Sequence, residues 1–187
     1  MRWEEALADI EGQFEAALSL ELAAEVADRS RREVASLVLR DRLLGSVGHP
    51  VEVVTTAGAW AGVLSQVGAD WLLLAPGAGA GAGYGDEVVV AQSGVLWVAG
   101  LGRHTTASGP LAQRLGLAHA LRRLARDRLS VTLVLTGGTT VRCTVGRVGA
   151  DFLEALNHAD DAEHARSAGP RVRTVPLAAL VAVRRQV

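Results

Sequence analysis

Apolar and acidic residues alternate at helical spacing along the start of the chain. The apolar positions follow one another at steps of three or four, which places them on one side of an α-helix. We therefore predict an amphipathic helix over residues 3–28, and its first four apolar side chains are candidate partner-binding residues. Such a helix most commonly packs on its own chain, and pairing with the same helix of a second chain is the functional alternative. The five apolar positions are Trp3, Leu7, Ile10, Phe14 and Leu18.

Beyond this helix, the hydrophobic pattern predicts the same succession of elements twice. Each series begins with a helix, over Ser30–Leu44 and then over Pro110–Arg128, where a proline suits the first helical turn. Five short apolar segments follow each helix, and such segments are typical of strands. The first five strands are predicted at Val51–Thr55, Trp60–Val67, Trp71–Ala75, Glu87–Ala91 and Val95–Val98. The second five are predicted at Val131–Thr136, Thr140–Val148, Phe152–Leu156, Val172–Val175 and Leu180–Val183.

Sequence matches link the two series. The motif Val-Gly-Ala-Asp, followed by an aromatic residue and Leu, occurs in both, and two further segments match in the same order. Three matches in one order indicate an internal duplication. The matched segments are Arg40–Leu43 with Arg126–Leu129, Val67–Leu72 with Val148–Leu153, and Val90–Val98 with Val175–Val183.

The Val-Gly-Ala-Asp motif falls between the second and third predicted strands of each series. Gly68 and Gly149 are predicted to bend the chain there with positive φ, which is cheap only for glycine. Asp70 and Asp151 are predicted to act as turn residues that accept hydrogen bonds from nearby backbone N–H groups.

The strand pattern is similar to that of the Sm-like family, with an apolar first strand, the segment Gly62-Val63-Leu64 and an acidic residue before an apolar third strand. This resemblance implies an α+β protein with N-terminal amphipathic helices and two duplicated five-stranded β-barrels of the Sm-like or SH3 type, each preceded by a helix. With its opening segment Trp3–Glu11, the chain resembles an uncharacterised actinobacterial protein family with such tandem barrels. The residues after Asp70 and Asp151 differ from those of Sm-like RNA binders, so the resemblance implies architecture and not RNA recognition.

These patterns predict four regions in the chain. They are an N-terminal amphipathic helix over 1–29, a first helix-plus-barrel repeat over 30–100, a linker over 101–110, and a second helix-plus-barrel repeat over 111–187.

Charge is distributed unevenly, although the formal net charge is only −1. Residues 1–110 contain 7 Arg against 14 acidic residues, whereas residues 111–187 contain 12 Arg against 6. Opposite halves can attract each other within or between chains, the basic half can hold an anionic partner, or both can simply be solvated faces. All 19 basic residues are Arg, which fits the coding bias of a GC-rich bacterial genome.

Residues that would carry catalysis or metal binding are sparse. The glycine run over 76–85 lacks both the dinucleotide-binding spacing and a Gly-Lys-Ser/Thr motif, so it is predicted to be a loop. Cys143 lies in a strand-like segment and is expected to fill the core. Three tryptophans on the predicted strands of the first series are likewise expected to pack in the core or at its rim. They are Trp60, Trp71 and Trp97. A cluster of possible metal ligands is predicted instead to be a solvated loop. Its members are His158, Asp160, Asp161 and His164.

The segment 111–124 resembles the helix-turn-helix of Fis-type DNA-binding regulators, through the turn Leu115-Gly116-Leu117 before a basic helix. This resemblance implies that a basic helix enters the major groove. It makes nucleic-acid binding by the Arg-rich half the alternative function. The candidate nucleic-acid-binding residues are Arg114, Arg122, Arg123, Arg126 and Arg128.

The leading functional prediction is a non-enzymatic adaptor or assembly protein, without cofactor or metal. It is expected to bind a partner protein or a second copy of itself through barrel edges and the N-terminal helix. The chain opens without the charge pattern of a signal peptide, contains one cysteine and has no apolar run of membrane-spanning length. These features predict a cytoplasmic protein with no membrane association.

Overall fold

The computed structural model describes residues 3–77, 87–106, 115–156 and 172–185, without the side chains of residues 3–11 and 14. The chain divides into two compact units, Met1–Val38 and Leu39–Val187. Among the described residues, no helix combines the length and the apolar character needed to cross a membrane.

The first unit consists of one long helix, α1, over Trp3–Ser36. The predicted boundary near residue 28 is wrong, because the helix continues through it and a short separate helix, α2, follows only at Leu39–Leu44. No glycine or proline occurs between residues 28 and 44, and an ion pair between Arg29 and Glu33 (3.4 Å) supports α1 just beyond residue 28. Over its whole length α1 is only weakly amphipathic.

The second unit contains α2, a further helix and the strands. The positions predicted for the strands are confirmed to within two residues at each end. The helix α3 covers Leu117–Asp127, so the predicted helical state of Leu115 and Gly116 is wrong, and residues 110–114 lie outside the described part of the chain. The first strands are β1 (Pro50–Thr55), β2 (Gly58–Val67), β3 (Trp71–Ala75), β4 (Val88–Ala91) and β5 (Val95–Ala99). The later strands are β6 (Ser130–Leu135), β7 (Thr140–Val148), β8 (Phe152–Leu156), β9 (Val172–Pro176) and β10 (Leu180–Arg185).

The prediction of two separate five-stranded barrels is wrong. Within the described residues, the strands form one open antiparallel sheet of ten strands, in the order β5-β1-β2-β3-β4-β10-β6-β7-β8-β9. Strands β1–β5 occupy one half of this sheet and β6–β10 the other, and the order within the two halves is the same. The halves are joined where β4 pairs with β10, a contact that we call the seam.

The seam forms because β4 and β10 are apolar on both faces. Val88 and Val90 belong to one hydrophobic core, whereas the intervening Val89 packs against a second core on the opposite face. In β10, Ala182 and Val183 divide between the two cores in the same way. Strands buried on both faces are stable only inside a sheet, so each half completes the other.

Each core is also covered by a helix. Leu43 of α2 is fully buried in the first core, and Leu117 and Leu121 of α3 are buried in the second. The fully buried residues of the first core include Leu43, Val53, Leu64, Leu72, Leu74 and Val90. Those of the second include Leu121, Val131, Leu133, Val145, Leu153 and Leu180.

Candidate functional site

The two outermost strands, β5 and β9, each leave one backbone edge without a described partner. Strand β5 pairs with β1, and β9 pairs with β8. Unpaired N–H and C=O groups along such an edge are a template for pairing with another strand. These two edges are therefore the candidate interaction sites.

Strand β5 has the composition of an interior strand although it lies at the border of the sheet. Its sequence from Val95 to Val98 is entirely apolar, yet Leu96 is 62% exposed and Trp97 is 50% exposed. The expectation that Trp97 packs in the core or at its rim is wrong. An apolar strand with an open edge is a predicted site of association.

The other two predicted core or rim tryptophans do pack inside the second unit. Trp71 is 9% exposed and belongs to the second core. Trp60 is half-buried against the first core, and the guanidinium carbon of Arg184 lies 5.9 Å from the centroid of its ring. This cation–π contact joins the first half of the sheet to β10.

Strand β9 presents a more polar edge. Val175 is buried in the second core, Arg173 is half-buried and Thr174 is exposed. The backbone N–H of Leu177 donates to the carbonyl of Asp151 (2.7 Å). Hydrogen-bonded pairs alternate along an antiparallel ladder, so Val175 and Arg173 also direct their backbone groups towards β8. The N–H and C=O groups of Thr174 therefore point away from β8, towards the open edge.

The seam shows how the fourth strand of one half pairs with the fifth strand of the other half. Val88 lies opposite Arg184, Val89 opposite Val183, and Val90 opposite Ala182. The N–H of Arg185 donates to the carbonyl of Glu87 (3.3 Å) just beyond these pairs. Strand β4 is the fourth strand of its half and β10 is the fifth strand of its half. The strands with open edges, β9 and β5, hold the same two positions in the opposite halves.

The two Val-Gly-Ala-Asp corners have matching backbone geometry. The N–H of Gly68 donates to the carbonyl of Trp71, and that of Gly149 to the carbonyl of Phe152, at 2.8 Å in both cases. The prediction of positive φ at the two glycines is wrong, because neither is among the described residues with positive φ. A methyl group at either position would instead overlap the aromatic ring three residues later, and this overlap explains the requirement for glycine.

Asp70 makes a long-range contact and not the predicted local one. The backbone N–H of Leu117, the first residue of α3, donates to its Oδ1 at 2.6 Å. The indole Nε1 of Trp71 donates to the carbonyl of Leu115 at 2.8 Å. Asp151 is exposed, and its side chain has no hydrogen bond to a described residue. The aspartate of the first corner thus holds the start of α3, whereas the side chain of Asp151 at the second corner holds no described backbone group.

The candidate nucleic-acid-binding arginines have different environments. The guanidinium of Arg122 donates to the backbone carbonyls of Val148 (3.4 Å) and Gly149 (2.9 Å), which fixes α3 to the second corner. Arg126 and Arg128 are exposed at the C-terminal end of α3. Two more candidates complete the set: Arg123, which is exposed, and Arg114, which lies outside the described residues.

The candidate partner-binding positions of the N-terminal helix all lie on α1. They are Trp3, Leu7, Ile10 and Phe14, and their side chains are outside the described part of the structure.

The expectation for Cys143 is confirmed, since its side chain is fully buried in the second core. Burial raises the pKa of its thiol from 9.0 to about 11, with a smaller opposing effect of the nearby Arg173 guanidinium. A buried thiol with a raised pKa is a poor nucleophile at neutral pH.

Metal-ligand geometry is not found among the described residues, where no group of three or more His, Cys, Asp or Glu side chains converges. The segment with the sequence-level metal candidates, residues 158–164, and most of the glycine run, residues 78–85, lie outside the described residues.

No protein-family model matches the chain, and no curated protein is significantly similar to it.

Proposed function

We propose that this chain is an assembly protein that associates head to tail with further copies of itself, through its β9 and β5 edges. The observation that carries the proposal is the seam, where a fourth strand already pairs with a fifth strand inside one chain. An open fourth strand and an open fifth strand remain at opposite ends of the sheet. Pairing them between copies repeats a contact that this sequence already forms.

The seam also defines the register of this association. The sequence alignment of the two halves places Val175 at the position of Val90 and Trp97 at that of Ala182. Transferring the seam pairs gives an antiparallel β9–β5 ladder between two copies. Its expected pairs are Val175 with Trp97, Thr174 with Val98, and Arg173 with Ala99.

Charge complementarity supports the same register. Arg173 is half-buried and forms no ion pair with a described residue. On the β5 side, Glu52 is exposed and lies opposite Ala99 across the β1–β5 ladder. The backbones of Arg173 and of Glu52 in a second copy would be about 10 Å apart, two strand spacings, with a small alanine between them. Long side chains of opposite charge can meet over this distance.

Association of this kind is heterologous, because each copy contributes two different edges. Such contacts form a closed ring if the rotation per copy closes, and a filament if it does not. The weakly amphipathic α1 is a second candidate for contact with a partner protein.

Size-exclusion chromatography with light scattering on the full chain tests the proposal. The expected result is a mass above that of the 19.5 kDa monomer, rising with concentration. Thr174→Pro removes an outward N–H from an exposed position of an edge strand, where proline is tolerated, and should weaken association at least about tenfold. Thr174→Val is the matched control and should associate normally.

A second pair of variants separates a failure to fold from a failure to associate. Trp97→Glu buries an unpaired charge only in the assembled ladder, so it should give a folded monomer. Ala61→Glu adds the same charge at an exposed position of the interior strand β2 and should leave association intact. A wild-type chain that is monomeric up to about 100 μM, where contacts of about 5–6 kcal/mol would be detected, contradicts the proposal.

Nucleic-acid binding is the alternative, favoured by the exposed Arg123 and Arg126 of α3 and by the exposed Arg128 directly after this helix. It predicts that duplex DNA or single-stranded RNA binds at low salt, and that affinity falls steeply between about 50 and 200 mM salt. Arg126→Gln should weaken binding to every sequence by a similar factor. The absence of a mobility shift with either nucleic acid at low salt would exclude this alternative.

A further inference from the structure

A cavity of about 450 Å³ lies between α3 and the sheet at the seam. Its floor is apolar and is formed by three residues that lie side by side on neighbouring strands. They are Leu73 of β3, Val89 of β4 and Val183 of β10. Ala120 and Leu124 of α3 form the apolar part of its wall. This volume and this lining are typical of pockets for small molecules.

Polar side chains, among them carboxylates and guanidinium groups, surround the apolar floor. His119, Arg123 and Asp127 follow one another at steps of four along the wall, so they lie in a row on one side of α3. Glu87 and Arg185 lie opposite each other at the ends of β4 and β10. None of these five side chains forms a hydrogen bond or ion pair with a described residue.

The charged residues on α3 are separated along the helix, whereas Glu87 and Arg185 lie side by side. Asp127 is the last residue of α3, where the helix dipole adds to the negative potential and favours a cation. Arg123 and His119 lie one and two turns earlier, where their donors favour an anion. Adjacent positions of this kind are about 5–6 Å apart between Cβ atoms, which suits a ligand with an ammonium and a carboxylate on one carbon.

We propose that this cavity binds a free α-amino acid with an apolar side chain. The carboxylate accepts hydrogen bonds from the guanidinium of Arg123, and the ammonium donates to the carboxylate of Asp127. The apolar side chain then covers Leu73, Val89 and Val183. The cavity is formed by residues of a single chain and does not include β5 or β9, so the inference is independent of the proposed assembly.

Calorimetric titration of the full chain with L-leucine, L-phenylalanine and L-tryptophan tests the proposal. At least one of the three should bind, and the N-acetyl and amide derivatives of that amino acid, which lack one charge each, should bind at least about tenfold more weakly. Saturation by the amino acid should also change tryptophan fluorescence, because Trp71 lines the cavity.

Variants of the two charged contacts decide whether the amino acid binds in this cavity. Arg123→Gln and Asp127→Asn are exposed helix substitutions, and each should weaken binding at least about tenfold with an unchanged unfolding midpoint. Arg126→Gln on the same helix does not line the cavity and should bind as the wild type does. The proposal is overturned if none of the three amino acids binds at millimolar concentration, or if binding is the same in all three variants.

Discussion

Asp70 accepts a hydrogen bond from the backbone N–H of Leu117, a residue 47 positions later in the chain. Leu117 is the first residue of α3, and the preceding Gly116 has no side chain with which to cap the helix. The carboxylate from the first half of the sheet therefore takes the place of a local N-cap in the second half. The two halves depend on each other at this corner as well as at the seam.

Removal of this carboxylate should destabilise the protein. Asp70→Ala is expected to lower the free energy of unfolding by about 0.5–2 kcal/mol, the range for loss of an N-cap. Asp151→Ala is the matched control at the second corner, where no described N–H is capped, and should change stability by less than about 0.5 kcal/mol. Urea unfolding of the two variants measures the difference, and equal losses would argue against the capping role.

The corner glycines should not tolerate a methyl group. In Gly68→Ala and Gly149→Ala the new Cβ overlaps the ring of Trp71 or Phe152, and each change is expected to cost about 1–3 kcal/mol. Gly77→Ala is the control, because the nearest atom to its added Cβ, on Val63, would be 3.8 Å away. Thermal unfolding checks the prediction, and a corner variant as stable as the wild type would refute the steric explanation.

Cys143 should make stability depend on pH in the alkaline range. Its thiol ionises near pH 9.0 when exposed in the unfolded chain and near pH 11 when buried in the native chain. Below pH 9 the thiol is neutral in both states. Between the two values the unfolded state releases the proton first, so the free energy of unfolding should fall by roughly 2–3 kcal/mol.

Two measurements isolate this contribution. Cys143→Ala should remove that part of the pH dependence, as seen by urea unfolding at pH 8 and pH 11. At pH 8 the native thiol should also react with a thiol reagent far more slowly than the thiol of the unfolded chain. Rapid labelling of the native protein would show that the side chain is accessible.

Disulfide trapping tests the register of the proposed β9–β5 ladder. Trp97 and Val175 are expected to form a non-hydrogen-bonded pair with Cα atoms about 4.5 Å apart, which is suitable for a disulfide. A mixture of Trp97→Cys and Val175→Cys chains should therefore give covalent dimers under mild oxidation. A mixture of Trp97→Cys with Arg173→Cys, displaced by two residues, should give few. Equal yields would show that the chains meet in another register or by collision alone.

The sequence predicts the strands well because each strand is a local pattern of apolar residues. It does not predict that β4 pairs with β10, about 90 residues later, because pairing of distant strands leaves no local spacing. One signal was present: Val88–Ala91 and Leu180–Val183 have no polar face, as expected of strands buried on both sides. Val95–Val98 also has no polar face, so the sequence alone does not show that this strand lies at the border of the sheet with Leu96 and Trp97 exposed.

The contacts made by the first Val-Gly-Ala-Asp corner could not be predicted from the sequence either. The sequence shows that Gly68 and Asp70 belong to a repeated motif, but the role of each residue depends on a tertiary contact. The ring of Trp71 packs on Gly68, and the first N–H of α3 donates to Asp70. The cavity between α3 and the sheet is likewise formed by side chains from α3 and five strands or strand ends. Such convergence depends on how α3 crosses the sheet, which no pattern along the chain encodes.

The central position of β10 has a consequence for biosynthesis. This strand leaves the ribosome after the other nine described strands, yet it lies between β4 and β6. Until residues 180–185 emerge, β4 and β6 lack their shared partner strand, so two edges are exposed in addition to those of β5 and β9. Neighbouring nascent chains on the same mRNA can pair with these edges prematurely. Slow translation of residues 180–185 should therefore increase misassembly, whereas rapid translation of this segment should favour the native product.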